Sequence, residues 1–476
     1  MAARPQVTTL QAPGRSAWRL HAAGSRSGGF FASRGGRTIL VPMNHPMSLL
    51  PLLAIALLLP AAPARAEAVV CGSAADEFAA RAAGLERQWI VQIPSGVGGW
   101  RLGHVSVGDG LVVAQTGDGG VHAIQAARGV DDVPPGTLLW SQRIGTPGGP
   151  SGSAGIGLQV VTVARDLGID ALDRRTGAVA WTKQLGQLPG ASAVPAGDWV
   201  YAAVPNEGIL RLPANPWRSA ASPTPAGQTK PAVARGKQAA TTTSFVESLE
   251  PRTVNAGGEV AFAPVPLADG VAWSTTDGTL VALERTKQGW LRHELPLESP
   301  LAGQPVTRGR AVFATTGPYG APWPATLARI ELADPMAKDK PRPGLELAWR
   351  VALPDHPEGS PLVADDTIVL SLGPSGIAAF SALTGELRWR SDIVGQLVSV
   401  GGDRVWCLDA TGRLSGLDLT SGIRRARLCL AGLTLPVVNT TGDLLVLAAP
   451  GGVITGFTPV ATPAPAPAAE DPDATR

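Results

Sequence analysis

A short pattern recurs at a nearly fixed interval. Pro135-Gly136 is followed by Trp140, Thr176-Gly177 by Trp181, Pro343-Gly344 by Trp349 and Thr384-Gly385 by Trp389. The step from Trp140 to Trp181 is 41 residues, and that from Trp349 to Trp389 is 40. Upstream of the Gly turn lies an Ala-x-Asp strand, Ala171-Leu172-Asp173, with variants ending in Gln125, Glu284, Ser381 and Asp418. Before that come tight turns such as Asp118-Gly119 and Asp277-Gly278, and strands opened by Gly-Asp pairs such as Gly108-Asp109 and Gly402-Asp403. Asp-Gly supplies the positive φ of a two-residue hairpin, and Thr-Gly suits a type I turn ending in a left-handed Gly. One unit is therefore four short antiparallel strands in about 40 residues, the arithmetic of a propeller blade.

The chain is predicted to be all-β, an eight-bladed β-propeller with four-stranded blades, over residues 85–460. Blade three is diverged, so seven blades is the alternative count. Blade eight, 434–460, holds only three strands. Its fourth is predicted at Arg87–Ile93, where Trp89 sits, so that the first strand closes the ring. Closure matters because an open sheet edge templates aggregation.

Composition agrees. Gly and Pro, 58 and 43 residues, disfavour long helices, and 44% hydrophobic residues exclude global disorder. Leu49–Leu59 is too short to span a bilayer and is followed by Ala64-Arg65-Ala66, a small-x-small cleavage pattern. Residues 43–66 read as a signal peptide, and residues 1–42 as an upstream extension or leader. Removing 1–66 takes seven arginines and no acid from 40 basic and 38 acidic residues, leaving a net charge of −5. Nucleic acid therefore loses its electrostatic footprint. The residues before Cys71, Ala68-Val69-Val70, are no lipobox, so no lipid anchor is expected.

Ala171-x-Asp173-x-x-Thr176-Gly177-x-x-x-Trp181 resembles the tryptophan-docking motif of the PQQ-like propellers, which include quinoprotein alcohol dehydrogenases and the non-catalytic BamB branch. The resemblance implies that Trp89, Trp140, Trp181, Trp349 and Trp389 each pack between adjacent blades, with Gly177 and Gly385 in the receiving turns. A buried indole N–H then needs a partner, and a carbonyl of the next blade would serve. Docking should be weakest at blades three, four and seven, where Trp290 is out of register and Ala426 occupies the Trp position.

The quinoprotein branch stacks its quinone on a disulfide of adjacent cysteines. Cys71, Cys407 and Cys429 are not adjacent, so neither PQQ nor calcium is expected, and no catalytic, cofactor-binding or metal-binding residue is assigned. Cys407 and Cys429 lie two strands apart in blade seven, too far for a mutual disulfide, and are predicted unbridged and buried. The innermost strands, from His104-Val105-Ser106 round to Leu435-Pro436-Val437, are small or apolar; only His104 is ionisable. Asp173, Asp418 and Glu284 are expected to accept backbone N–H groups in their own turns.

Residues 213–257 read as a mobile insertion and 461–476 as a Pro/Ala-rich tail. Trp217, Tyr319 and Trp323, on long loops, are candidates for a partner interface. The sequence thus suggests an exported, monomeric, non-catalytic propeller that binds a protein or envelope partner. A BamB-like role in outer-membrane protein assembly is what the resemblance implies. A quinoprotein-type dehydrogenase and a polysaccharide-binding propeller are the alternatives.

Overall fold

The computed structural model describes residues 73, 76–94, 100–127, 132–149, 151–187, 189, 191–215, 251–287, 289–318, 320, 324–333, 344–440 and 442–460. They form eight four-stranded antiparallel sheets. Seven sheets take consecutive strands; blade one, for example, uses Leu102–Gly108, Leu111–Thr116, Gly120–Gln125 and Leu138–Arg143. The eighth is composite. Leu85–Gln92 pairs antiparallel with Val453–Pro459 and completes the blade formed by Leu435–Pro436, Leu445–Ala448 and that strand. The eight-blade count and N-terminal closure expected from the sequence are both found. The predicted insertion at 213–257 is too wide: Pro213 ends the third strand of blade three and Arg252–Val254 pairs with that strand as the fourth, because the blade resumes its ladder after the long connection. Residues 216–250, the tail at 461–476 and the leader lie outside the described residues.

The core lies between the blades. Eight buried apolar clusters occur, each drawing residues from two neighbouring sheets; Leu111, Val113 and Trp140 of blade one, for instance, meet Val161, Val163 and Leu172 of blade two. The second and third strands of each blade are buried along nearly their whole length, whereas the outermost strands alternate. Two-sided burial of the middle strands explains their continuous Val, Ile, Leu and Ala runs.

Six outermost strands carry a β-bulge at one position. Gln88, Leu139, Ala180, Ala348, Arg388 and Arg425 are the extra residues, each directly before Trp89, Trp140, Trp181, Trp349, Trp389 or Ala426. A bulge re-aims the next side chain. Here it precedes every docking indole.

The receiving glycine is constrained twice. Gly177 has φ 72°, and a Cβ built on it would lie 2.5 Å from Cδ2 of Trp140. Gly385 has φ 77° and would place a Cβ 2.8 Å from the Trp349 ring. An alanine at either position would strain the backbone and push the indole off its seat.

Candidate functional site

Trp89 Nε1 donates to Ala126 O of blade one (3.1 Å), Trp140 Nε1 to Arg174 O of blade two (2.9 Å), Trp181 Nε1 to Ala214 O of blade three (3.2 Å) and Trp389 Nε1 to Leu419 O of blade seven (2.8 Å). Trp349 packs on Gly385, but its Nε1 finds no acceptor among the described residues.

The three seams without a docking indole use other contacts. Between blades three and four, the Arg211 guanidinium lies 4.2 Å from the Trp199 ring centroid and 4.6 Å from that of Trp290. Trp273 Nε1 meanwhile donates backward to Ala256 O (3.0 Å). Between four and five, Arg310 donates to Glu284 Oε1 (2.7 Å), Asp269 Oδ2 (2.8 Å) and Leu332 O (3.0 Å). Between seven and eight, Trp406 packs with Ala80 of the short helix Glu77–Ala82 and with its C-cap Ala83, and Arg404 donates to Ala83 O (2.8 Å).

The recurring acids divide. Asp173 Oδ1 accepts Thr176 N (2.9 Å) and Asp418 Oδ1 accepts Ser421 N (2.9 Å), each in its own turn. Glu284 departs from that expectation. It is fully buried, and its carboxylate goes to Arg310 and to His293 Nε2 (3.1 Å). Its longer side chain reaches across the seam instead of folding back onto its own turn.

Hydroxyl donors hold several turn carboxylates below the ordinary range. For Asp418 the Thr420 hydroxyl contributes most, then that of Ser421; for Asp277 it is Thr275, and for Asp118 it is Thr116. Such carboxyls stabilise the fold above their unfolded-state value near 4, and the contribution is lost as pH falls through the lower folded-state value. The melting temperature should therefore be flat from about pH 5 to 7 and fall steeply below about pH 4. An Asp418→Asn variant should show a shallower acid limb in thermal melts.

The cysteine expectation needs one correction. Cys407 is free and buried, whereas Cys429 is disulfide-bonded. The two-strand separation excludes a 407–429 bridge, but it does not address a partner from outside the ladder. Cys429 ends the outermost strand of blade seven, where such a partner has access. Cys71 lies outside the described residues. Burial pushes the Cys407 thiol up to about 12. A thiol reagent should label it only after unfolding, with no labelling of the native protein at pH 8.

The axial channel is lined by the inner strands. One cavity of about 890 Å³ touches Ser106, Ser153, Gln304, Thr307 and Ser360 together with aliphatic and Pro side chains. At the opposite mouth a second cavity of about 390 Å³ meets Ser151, Ser192, Phe262 and Gln304. Gln304 borders both. Sequence reading missed four charges: Arg308 and Asp365 line the larger cavity, because they stand where the inner strands of blades five and six end, and Arg165 and Asp166 line the smaller one. His104 is spent on a seam contact, Nε2 to Ser151 O at 3.1 Å. The arrangement offers hydroxyls, one amide and an Arg and an Asp in each of the two cavities. Among the described residues no three His, Cys, Asp or Glu side chains come together as metal ligands. Trp217, Tyr319 and Trp323 lie outside the described residues.

A family model described as outer membrane protein assembly factor BamB matches residues 343–459, the last strand of blade five through blade eight. Over those repeats the chain is similar to the PQQ-like propeller family. Two solved structures agree with the wider ring. BamB from Moraxella catarrhalis superposes with a TM-score of 0.54 at 18% identity, covering 79% of this chain and 97% of that one. The computationally designed Ika8 protein superposes at 0.53 with 10% identity, covering 77% and 98%. At such identities the likeness speaks for the fold. No curated protein matches the sequence.

Proposed function

We propose that this protein is an exported, non-catalytic PQQ-like propeller that serves as a protein-binding scaffold in the cell envelope, in outer-membrane protein assembly. The observation that carries the reading is the match of residues 343–459 to the BamB assembly-factor family, on a ring whose fold covers nearly all of a BamB chain. Two features support it. No helix among the described residues is long and apolar enough to cross a membrane. The docking indoles and the Arg310 ion pairs are committed to seams between blades, which suits a rigid platform that presents loops. The reading includes no quinone, calcium or other cofactor.

The test uses the chain from Glu67 onward as a monomeric bait, crosslinked in envelope preparations. Recovery of the β-barrel insertase of the outer membrane, reduced when residues 216–250 are deleted, supports the reading. A dye-linked dehydrogenase assay after incubation with quinone and calcium is run in parallel. Turnover above background would overturn it in favour of an enzyme, and specific retention on a glycan array would favour the polysaccharide-binding alternative.

A further inference from the structure

Blade seven lacks a docking indole, yet its outermost strand, Arg424–Cys429, keeps the bulge. The register across the sheet is Leu397 to Cys407 to Ser415 to Arg427, so these four side chains share one face. Arg413 is two residues before Ser415 and lies on that face as well. The bulge at Arg425 then changes the count. Arg424 pairs with Leu417, which is two residues after Ser415, so Arg424 also joins this face although it stands three residues from Arg427. In a regular strand those two arginines would point to opposite sides.

The face looks toward blade six, where Leu397, Val405, Cys407 and Leu417 pack with Trp389 and its neighbours. Above this apolar floor is a cavity of about 260 Å³, lined by Cys407, Ser415, Arg413, Arg424 and Arg427, with Asp409 and the Asp392–Val394 connection at its lip. The lining is mainly polar.

None of the three arginines forms an ion pair or a side-chain hydrogen bond among the described residues. The equivalent arginines of other blades are engaged: Arg350 donates to Glu298 Oε2 (2.7 Å) and Arg390 to Ser375 O (3.0 Å). Asp409 feels the charge of Arg413 but forms no ion pair with the cluster. Its Oδ1 is occupied by the Thr411 hydroxyl (2.6 Å) and by the N–H groups of Thr411 (2.8 Å) and Arg413 (2.9 Å). In four blades the residue two before the docking indole is aliphatic, namely Leu138, Val179, Leu347 or Leu387; blade seven alone among the bulged motif blades with a Gly turn places Arg424 there.

We propose that this pocket between blades six and seven binds a phosphate-bearing ligand through Arg413, Arg424 and Arg427. Guanidinium forks match the paired oxygens of a phosphate, and charge-assisted bonds to it are about twice as strong as neutral ones. The Ser415 hydroxyl adds a neutral donor at the floor. The cavity admits a phosphomonoester or a pyrophosphate but not a folded partner.

The probe is pyrophosphate, titrated calorimetrically into the chain from Glu67 onward at about 150 mM salt, where exposed charges are screened beyond about 8 Å. The expected dissociation constant is below about 1 mM. Arg424→Gln and Arg427→Gln should each weaken binding at least about tenfold, the loss of one charge-assisted contact. Arg425→Gln is the control, because Arg425 is the bulge residue itself and pairs with Asp418 (3.5 Å). It should bind within about twofold of the unaltered chain. Thermal melts of each variant confirm folding. No binding by the folded protein, an equal loss in Arg425→Gln, or tighter binding of succinate than of pyrophosphate would each overturn the proposal.

Discussion

Replacing Trp389 by alanine should lower the free energy of unfolding by about 3–5 kcal/mol, the cost of emptying a large aromatic site in a core. Three observations set that size. Its side chain is buried, its Nε1 donates to Leu419 O at 2.8 Å, and its ring lies flat on Gly422. Leucine cannot refill the space, because Gly422 has no side chain to follow it inward. Trp389→Phe keeps most of the ring area and loses the hydrogen bond, so it should cost about 1–3 kcal/mol through the orphaned carbonyl and the smaller ring. Leu387→Ala, two residues earlier and more than half exposed, should cost less than about 0.5 kcal/mol. Denaturant melts of the three variants check the order. Equal losses for Trp389→Ala and Leu387→Ala would show that the indole does not hold blades six and seven together.

A chain that starts at Trp100 should fail to give a cooperative melt and should elute as soluble oligomers or aggregate. It lacks Leu85–Gln92, leaving Val453–Pro459 as an open edge in blade eight. It also loses Leu85, Trp89 and Ile93 from two apolar clusters at the seams on either side of that blade. Each such side chain contributes about 1.5–3 kcal/mol by burial, so the sum approaches the whole stability of an ordinary domain, about 5–15 kcal/mol. Supplying residues 76–99 as a separate peptide should restore part of the cooperative transition, read by circular dichroism and size-exclusion chromatography. A monomer that melts normally without the strand would remove the closing role assigned to it.

The propeller was legible because its signals are local. A Gly turn, an Asp-Gly hairpin and an indole at a fixed offset need no knowledge of partners in space. The open blade and the unclaimed Trp89 strand could be matched by counting. What could not be read depends on register or on distance. The bulge residues Gln88, Leu139 and Arg425 share no residue type, since a bulge is defined by what its partner strand does. Glu284 occupies the motif position of an acid that caps its own turn, yet it binds Arg310 of the next blade; only the assembled seam reveals the choice. The Cys429 bridge escaped a spacing argument confined to one sheet. The arginine pocket is a sum of both limits: Arg413, Arg424 and Arg427 look like scattered surface charges until pairing sets them on one face. The charges at the channel end, Arg308 and Asp365, were missed because the inner strands are two to seven residues long and their ends were placed a few positions early.

The strand that seals the circle carries a consequence for biogenesis. Gln88 Nε2 donates to Thr458 Oγ1 across 370 positions of sequence. The first ribbon of the fold must therefore wait, unpaired, until almost the last residue has been synthesised and delivered. Trimming either terminus opens the same join, so a protease nick near residue 90 and a premature stop near residue 450 should be handled by quality control as one and the same defect.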